Sequence, residues 1–321
     1  MSGYLQGRAV HIDHHLSNVA LNYRPAGFIA DRLFPTVPVA KQSDTYVIFE
    51  QADLFRKENT VRARGGEANK IHTRVSSAGY YCKNYALKAD VTLEDRANAD
   101  PLFVRQFEEG RVMRLQDGLF LDWELRLANL LSSPANVGSS AAVGSAWTDY
   151  SLSDPLGDIF RAVDNVEIST GYRPNRVLFS GNAWRHFRRN GKVIDKATNP
   201  HVTGGGVYPS ARQIEELLEM QVLVGNAWQN SAQEGLGMNL SQIWNDHVLV
   251  YYAPDQPSME SPSFGYNFRW TAPEVPNLLV ERHPYDTRRK CAEVEIGYYQ
   301  DEVVTAKPLG FLVMAVTSST L

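Results

Sequence analysis

Residues 101–133 read PLFVRQFEEGRVMRLQDGLFLDWELRLANLLSS and form the longest helical candidate in the chain. Asp100 offers an N-cap, Pro101 suits the first helical position, and Pro134 ends the run. Arg105 and Glu109, like Asp122 and Arg126, are spaced i,i+4 and can pair on the helix surface. At ~1.5 Å per residue such a helix is about 50 Å long, well beyond the usual three to four turns. Its apolar residues do not form one stripe. Phe103, Phe107, Leu121 and Leu125 share a side, whereas Val112, Leu119, Trp123 and Leu130 lie on another. A helix wetted on one side would not carry both sets, so this one is expected to be contacted from two directions.

Downstream, residues 135–153 are rich in Ser, Ala and Gly and read as a loop or hinge. Asp154-Pro155 then starts a helix whose apolar face is Leu156, Ile159, Phe160, Val163 and Val166, and Gly171 ends it. RVLFS (176–180) reads as a strand and NAWRHFRR as a short helix. Ser210 and Gln213 have capping-box spacing before a helix through Met220. VLVG (222–225) and HVLVYYAP (247–254) read as buried strands, giving an α/β domain over roughly 150–255. In AEVEIGYY (292–299), Val294, Ile296 and Tyr298 alternate with Glu293 and Glu295, as in a strand with one buried face. GFLVMAVTS (310–318) reads as a more fully buried strand. These strands and the long helix are expected to pack together, with the α/β domain inserted between them.

Upstream, residues 1–27 are polar, and Tyr23, Pro25 and Gly27 argue against a helix through the end of the stretch. It reads as an irregular arm that lies on something else. Pro35 and Pro38 break any helix over 28–55, and Thr45–Phe49 reads as a strand. Residues 56–80 are polar, with Gly65-Gly66 between two strand-compatible runs, Val61–Arg64 and Ile71–Val75, which is a hairpin signal. A two-stranded hairpin alone is marginal in water. A neighbouring subunit is the simple candidate for holding it. Arg62, Arg64, Gly65, Gly66, Glu67 and Lys70 at its turn read equally well as a solvated tip and as a docking surface for charges on a neighbour.

The chain has 321 residues, 43% of them hydrophobic, and a net charge of −4, without the basic face of a protein that grips nucleic acid. Cys82 and Cys291 are read as reduced thiols. No signal peptide and no run of ~18 apolar residues is present, and residence in a cytoplasm is expected. No catalytic or cofactor-binding constellation emerges. His11, Asp13, His14 and His15 cluster in an arm without an evident scaffold, so no metal site is assigned. Gly204-Gly205-Gly206 lacks the GK[ST] ending of a phosphate loop, and Gly191-Lys192 follows a helix with Val193 in place of the hydroxyl residue. Glu108-Glu109 and Glu215-Glu216 point about 100° apart on their helices and read as solvated faces. Trp123, Trp147, Trp184, Trp228, Trp244 and Trp270 read as core material.

The order of these parts has a counterpart. FIADRLFPTVPVAKQSDTYVIFEQADLFR (28–56), YYCKNYALKADVTLEDRANAD (80–100), STGYRPNRVLFSGNAWRHFRRN (169–190), MQVLVGNAWQNSAQEG (220–235), IWNDHVLVYYAP (243–254) and PSFGYNFRW (262–270) resemble successive segments of the major capsid proteins of tailed bacteriophages. The resemblance implies an α+β fold of the Hong Kong 97 type. It implies an N-arm and approach to the peripheral domain (1–43), and an extended β-hairpin loop lying on the adjacent subunit (44–85). It further implies a peripheral domain (86–149 and 271–321) with a spine helix at 101–133, and an axial domain (150–270).

The function so implied is a head protein that self-assembles, as hexamers and pentamers, into an icosahedral shell around double-stranded DNA, without sequence-specific binding. It would be assembled in the host bacterial cytoplasm and reside in the virion. With Met1 heading the chain and no helical scaffolding segment before the arm, a separate scaffold protein is expected, with a portal protein, while decoration proteins stay an open option. Lys57, Asn69 and Lys70 lie near the loop, but nothing marks the glutamate environment that covalent cross-linking requires, so none is expected. Two other readings are an encapsulin-like nanocompartment and a soluble α/β enzyme with its site in 150–255. Against the enzyme stands the lack of a clustered nucleophile, base or metal set.

Overall fold

The computed structural model describes residues 11–23, 27–49, 75–98, 104–197, 208–233, 235–258, 261–272 and 278–317, with positions 57, 60–62, 64–68 and 70. Along the chain these form β1 (His11–Ile12), α1 (His14–Asn22), α2 (Ala30–Leu33), β2 (Thr36–Val39), β3 (Ser43–Phe49), β4 (Val75–Tyr81), β5 (Lys83–Thr92), α3 (Leu93–Asn98) and α4 (Val104–Leu131). Then come β6 (Ser139–Ala142), α5 (Pro155–Thr170), β7 (Arg176–Ser180), α6 (Gly181–Arg189), α7 (Gly191–Ala197), α8 (Ala211–Leu218), β8 (Gln221–Gly225), β9 (Trp228–Asn230) and β10 (Leu240–Gln242). The chain closes with β11 (Val248–Tyr251), β12 (Gly265–Trp270), β13 (Leu279–Arg282), β14 (Cys291–Val304) and β15 (Gly310–Met314).

Two sheets organise the molecule, with α4 between them. One runs β6-β15-β11-β7-β8. Its three inner strands, β7, β11 and β15, are buried on both faces, which is why they read as continuous apolar runs. Val177, Phe179, Val248, Val250, Phe311 and Val313 face a core shared with α5, α6 and α8. The alternate residues Leu178, Leu223, Leu249, Tyr251 and Leu312 face a second core shared with α2 and the C-terminal half of α4. The other sheet runs β1-β13-β14-β12-β2, with β5 also on β14. In β14 the expected alternation holds: Val294, Ile296 and Tyr298 are buried in a third core with Val112, Leu115 and Leu119 of α4.

The long helix is therefore contacted from two directions, and the chain itself supplies both. Phe120, Trp123, Leu127 and Leu131 pack towards the first sheet, and Val112, Leu115 and Leu119 towards the second and towards Leu16 and Ala20 of α1. The Asp122–Arg126 pair forms. Asp100, Pro101, Phe103 and the Arg105 side chain lie outside the described residues.

The caps follow the sequence. Asp154 accepts from Gly157 N, and Gly171 closes α5 with φ +75°. Ser210 and Gln213 form the capping box of α8, which ends at Leu218.

Several expectations are corrected. Residues 14–22 are helical, not irregular: Asp13 takes the N-cap, accepting from His15 N and Leu16 N at 3.1 Å. That helix lies on its own chain, where Gln116 Nε2 donates to Ala20 O at 2.7 Å and Val280 N to Ser17 Oγ at 3.0 Å. The Ser/Ala/Gly-rich stretch contains β6, paired with β15. Strand β15 does not join the other C-terminal strands; it pairs with β11 in the α/β sheet, because both of its faces are apolar and only that sheet is covered twice. Strand β12, by contrast, pairs with β14 and β2. Gly191 both follows one helix and opens another, with Asn190 Oδ1 accepting from Lys192 N at 3.0 Å.

Leu127 is fully buried where α4 meets the first sheet. Leu127→Ala should cost about 2–5 kcal/mol, seen as a lowered urea midpoint with an unchanged m-value.

Candidate assembly surfaces

The β3–β4 ladder, from Ser43↔Tyr81 to Phe49↔Val75, carries the loop expected to reach a neighbour. Its root is not unsupported. Tyr46 and Tyr80 pack on Phe268 of β12, with ring centroids 5.3 and 4.7 Å apart, and Val37, Val39 and Cys82 complete this small core. Burial pushes the Cys82 thiol up to about 11, which leaves it an inert apolar filler. Cys82 and Cys291 are both free and buried.

Of the expected strands beside the glycine pair, Val61–Arg64 is not formed where described, since Val61 and Arg62 are non-strand and Arg64 and Gly65 make a turn in which Gly65 has φ +80°, whereas Val75, the described end of Ile71–Val75, is in β4. Residues 63, 69 and 71–74 lie outside the described residues. The turn is held by Arg62 Nε donating to Gly66 O at 2.5 Å. Arg62, Arg64, Gly65, Glu67 and Lys70 are exposed and Gly66 is half-buried, so the structure gathers all six at one tip. The ladder is described as far as Phe49↔Val75.

The arm cluster resolves into helix capping and ion pairing. Asp13 accepts from the Leu16 and His15 amides and pairs with Arg282 at 3.1 Å, and these hold its carboxyl below the usual range although burial works against its charge. Arg282 also reaches Glu108 at 2.8 Å, so Glu108 is buried, not solvated. His15 Nε2 meets Glu109 at 2.7 Å. Glu215 accepts from Val222 N and Glu216 pairs with Arg212. Gly204-Gly205-Gly206 lies outside the described residues.

Three features go beyond the sequence reading: the burial of Glu124, the reach of Arg126 to Glu302 and the exposure of the β9–β10 hairpin. Glu124 of α4 is fully buried; its Oε2 accepts from Ile29 N at 3.0 Å and Ala30 N at 2.7 Å, and its Oε1 from Trp244 Nε1 at 2.5 Å. Burial pushes its carboxyl up to about 7 against these donors. Its position between Phe120, Trp123 and Leu127 was the available signal. Gly225 seats the Trp244 ring: a Cβ there would lie 2.2 Å from it.

Arg126, two residues further along the helix, pairs with Asp122 and, at 2.8 Å, with Glu302 of β14, and lies 3.6 Å from the Tyr85 ring centre. Third, the β9–β10 hairpin exposes Trp228, Leu236, Met238 and Leu240, so Trp228 is not core material.

Asp90, Cys291 and Glu293 hold ligand-type atoms within 4.8 Å of one another. Arg289 pairs with both carboxylates and Lys88 with Glu293 at 3.0 Å, so the group is an ion-pair cluster. A cleft of about 450 Å³ beside the arm is lined by Tyr23, Phe28, Arg114, Asp117, Leu121 and Trp228. In it Asp117 accepts from the Tyr23 hydroxyl at 2.9 Å.

Two sheets sharing one long helix, a rooted β-hairpin carrying a polar tip, and an α/β layer form the Hong Kong 97 capsid fold. The chain is a homologue of phage major capsid proteins, and its role is structural, as a capsid subunit. It is 28% identical over 311 residues to the major capsid protein of Pseudomonas phage JBD67, covering 94% of this chain and 95% of that one. It is 24% identical to the major capsid protein of Burkholderia phage BcepMu, covering 84% and 87%. Among solved structures, a phage-related protein from Bordetella bronchiseptica superposes with a TM-score of 0.71 at 22% identity, over 96% of this chain and 99% of that one. The SrpI encapsulin of Synechococcus elongatus shares the fold with a TM-score of 0.54 at 12% identity, over 90% and 87%. No family model matches the chain.

Arg126→Met leaves the Glu302 carboxylate, 7% exposed, without its cation. It should cost about 3–5 kcal/mol in urea unfolding, and adding Glu302→Gln should restore part of the loss.

Proposed function

We propose that this protein is the head subunit of a tailed bacteriophage. Its copies assemble as hexamers and pentamers into an icosahedral shell that encloses double-stranded DNA without reading its sequence. The observation that carries this is the end-to-end kinship with phage major capsid proteins. Scaffold and portal proteins are its partners, with decoration proteins an option. Assembly takes place in the host bacterial cytoplasm, and the shell ends in the virion. The encapsulin likeness is one of fold alone, whereas the sequence relatives are phage proteins. No reaction is assigned to the chain.

In this reading 1–43 is the arm and approach, 44–85 the extended loop, 86–149 and 271–321 the peripheral domain, and 150–270 the axial domain. Sheet membership favours counting 139–142 and 310–314 with the axial domain and 265–270 with the peripheral one. The loop tip, Arg62 to Lys70, docks on the adjacent subunit. Charge supports that docking. Residues 56–74 carry Arg56, Lys57, Arg62, Arg64, Lys70 and Arg74 against Glu58 and Glu67, net +4, in a chain of net −4. A basic loop on an acidic subunit is attracted to the next copy.

Electron microscopy of the purified protein, expressed alone and then with its neighbouring genes, should show uniform closed shells. A discrete species near the 36.0 kDa monomer in both preparations would overturn the reading. Deleting 58–72 should leave a folded subunit that forms no shells, and Arg62→Ala/Arg64→Ala/Lys70→Ala should weaken assembly most at low salt, where the attraction is least screened. Normal shells from the deletion would refute the docking role of the loop.

A further inference from the structure

The joint around Glu124 has an unusual composition. Three separate stretches meet there: the backbone entering α2, the middle of α4, and the turn before β11 that carries Trp244. The side chain that links all three is a carboxylate with no exposed surface. No cation pairs with it among the described residues. From α2 the facing charge is another carboxylate, Asp31. Arg176 of β7 donates to the Arg32 and Leu33 carbonyls, at 2.9 and 3.3 Å. Arg126 on α4 itself is taken by Glu302 and Asp122. Beyond Trp244, Asp246 accepts from Asn182, and burial holds His247 below its usual range and so neutral near pH 7.

A buried anion offset only by neutral N–H donors is costly, and it can recover its hydration only if the joint opens. We propose that Glu124 is a proton-sensitive pin: the joint fastening 29–33 and Trp244 to the long helix stays closed while the carboxyl is protonated and opens more readily once it ionises. The sign follows from linkage. The closed joint holds the proton more tightly than the open one, where the carboxyl meets water, so closure is favoured below the open-state value near 4.5 and lost as pH rises towards about 7. The arm and the α/β layer then share one control, since both are fastened to the long helix at this atom pair. This inference concerns the single subunit and stands apart from the shell reading.

Hydrogen exchange of the full-length protein tests it, followed by mass spectrometry on peptides spanning 27–34 at pH 5.5, 7.0 and 8.5, with rates corrected for intrinsic exchange. Opening at Ile29 and Ala30 should rise on the order of 10–100-fold over that range. Glu124→Gln, which cannot ionise, should abolish the pH dependence. Trp244→Phe removes a donor that favours the ionised form and should move the midpoint upwards. His247→Gln should leave the dependence in place. Corrected rates equal at all three pH values would overturn the proposal, as would a wild-type profile in Glu124→Gln. If Glu124→Gln does not fold, Trp244→Phe decides alone, and an unmoved midpoint overturns the proposal.

Discussion

The rest of the structure hangs on the burial of one long helix from two sides, and its fulcrum is a carboxylate that touches three chain segments at once. Without Glu124, the backbone amides of Ile29 and Ala30 and the indole of Trp244 would be buried donors with nothing to accept from them. With it, the arm-to-α2 stretch and the α/β layer are set at a defined place along α4. The apolar cores on either side then supply the bulk of the stabilisation, while the carboxyl supplies register.

Charge is divided unevenly over the molecule. Inside, guanidinium groups act as rivets: Arg126 ties the long helix to β14, and Arg282 ties β13 to the arm and to Glu108. In the sequence, residues 56–74 are net positive, and the described charged residues among them, Lys57, Arg62, Arg64, Glu67 and Lys70, are exposed. The cores set the geometry of the subunit, as a protein that meets many copies of itself requires.

Legibility followed locality. The α5 and α8 caps, the Arg176–Ser180 strand and the alternation in β14 depend on neighbours within a few positions and were readable. So was the two-sided character of α4. The arm helix was missed because its stop signals, Pro25 and Gly27, were read back over a stretch where Asp13 had already started a helix. The partners that hold that helix, Gln116 and Val280, lie 93 or more positions away. Glu124 was missed because a glutamate between apolar residues looks like one more helix surface position until its donors are found. Of the loop, the turn at Gly65 and the strand at Val75 were legible, but Val61 and Arg62 are not strand.

By itself the sequence determined the helices with local caps, the doubly apolar strands, the absence of a signature for catalysis, and the resemblance to phage shell proteins. Only the tertiary structure decided which sheet each C-terminal strand joins, that the chain covers both sides of its own helix, and that a lone carboxylate joins three segments. Strand pairing and burial of a charge are settled by residues tens of positions to more than a hundred apart, and no local pattern records which of several compatible partners comes to lie alongside.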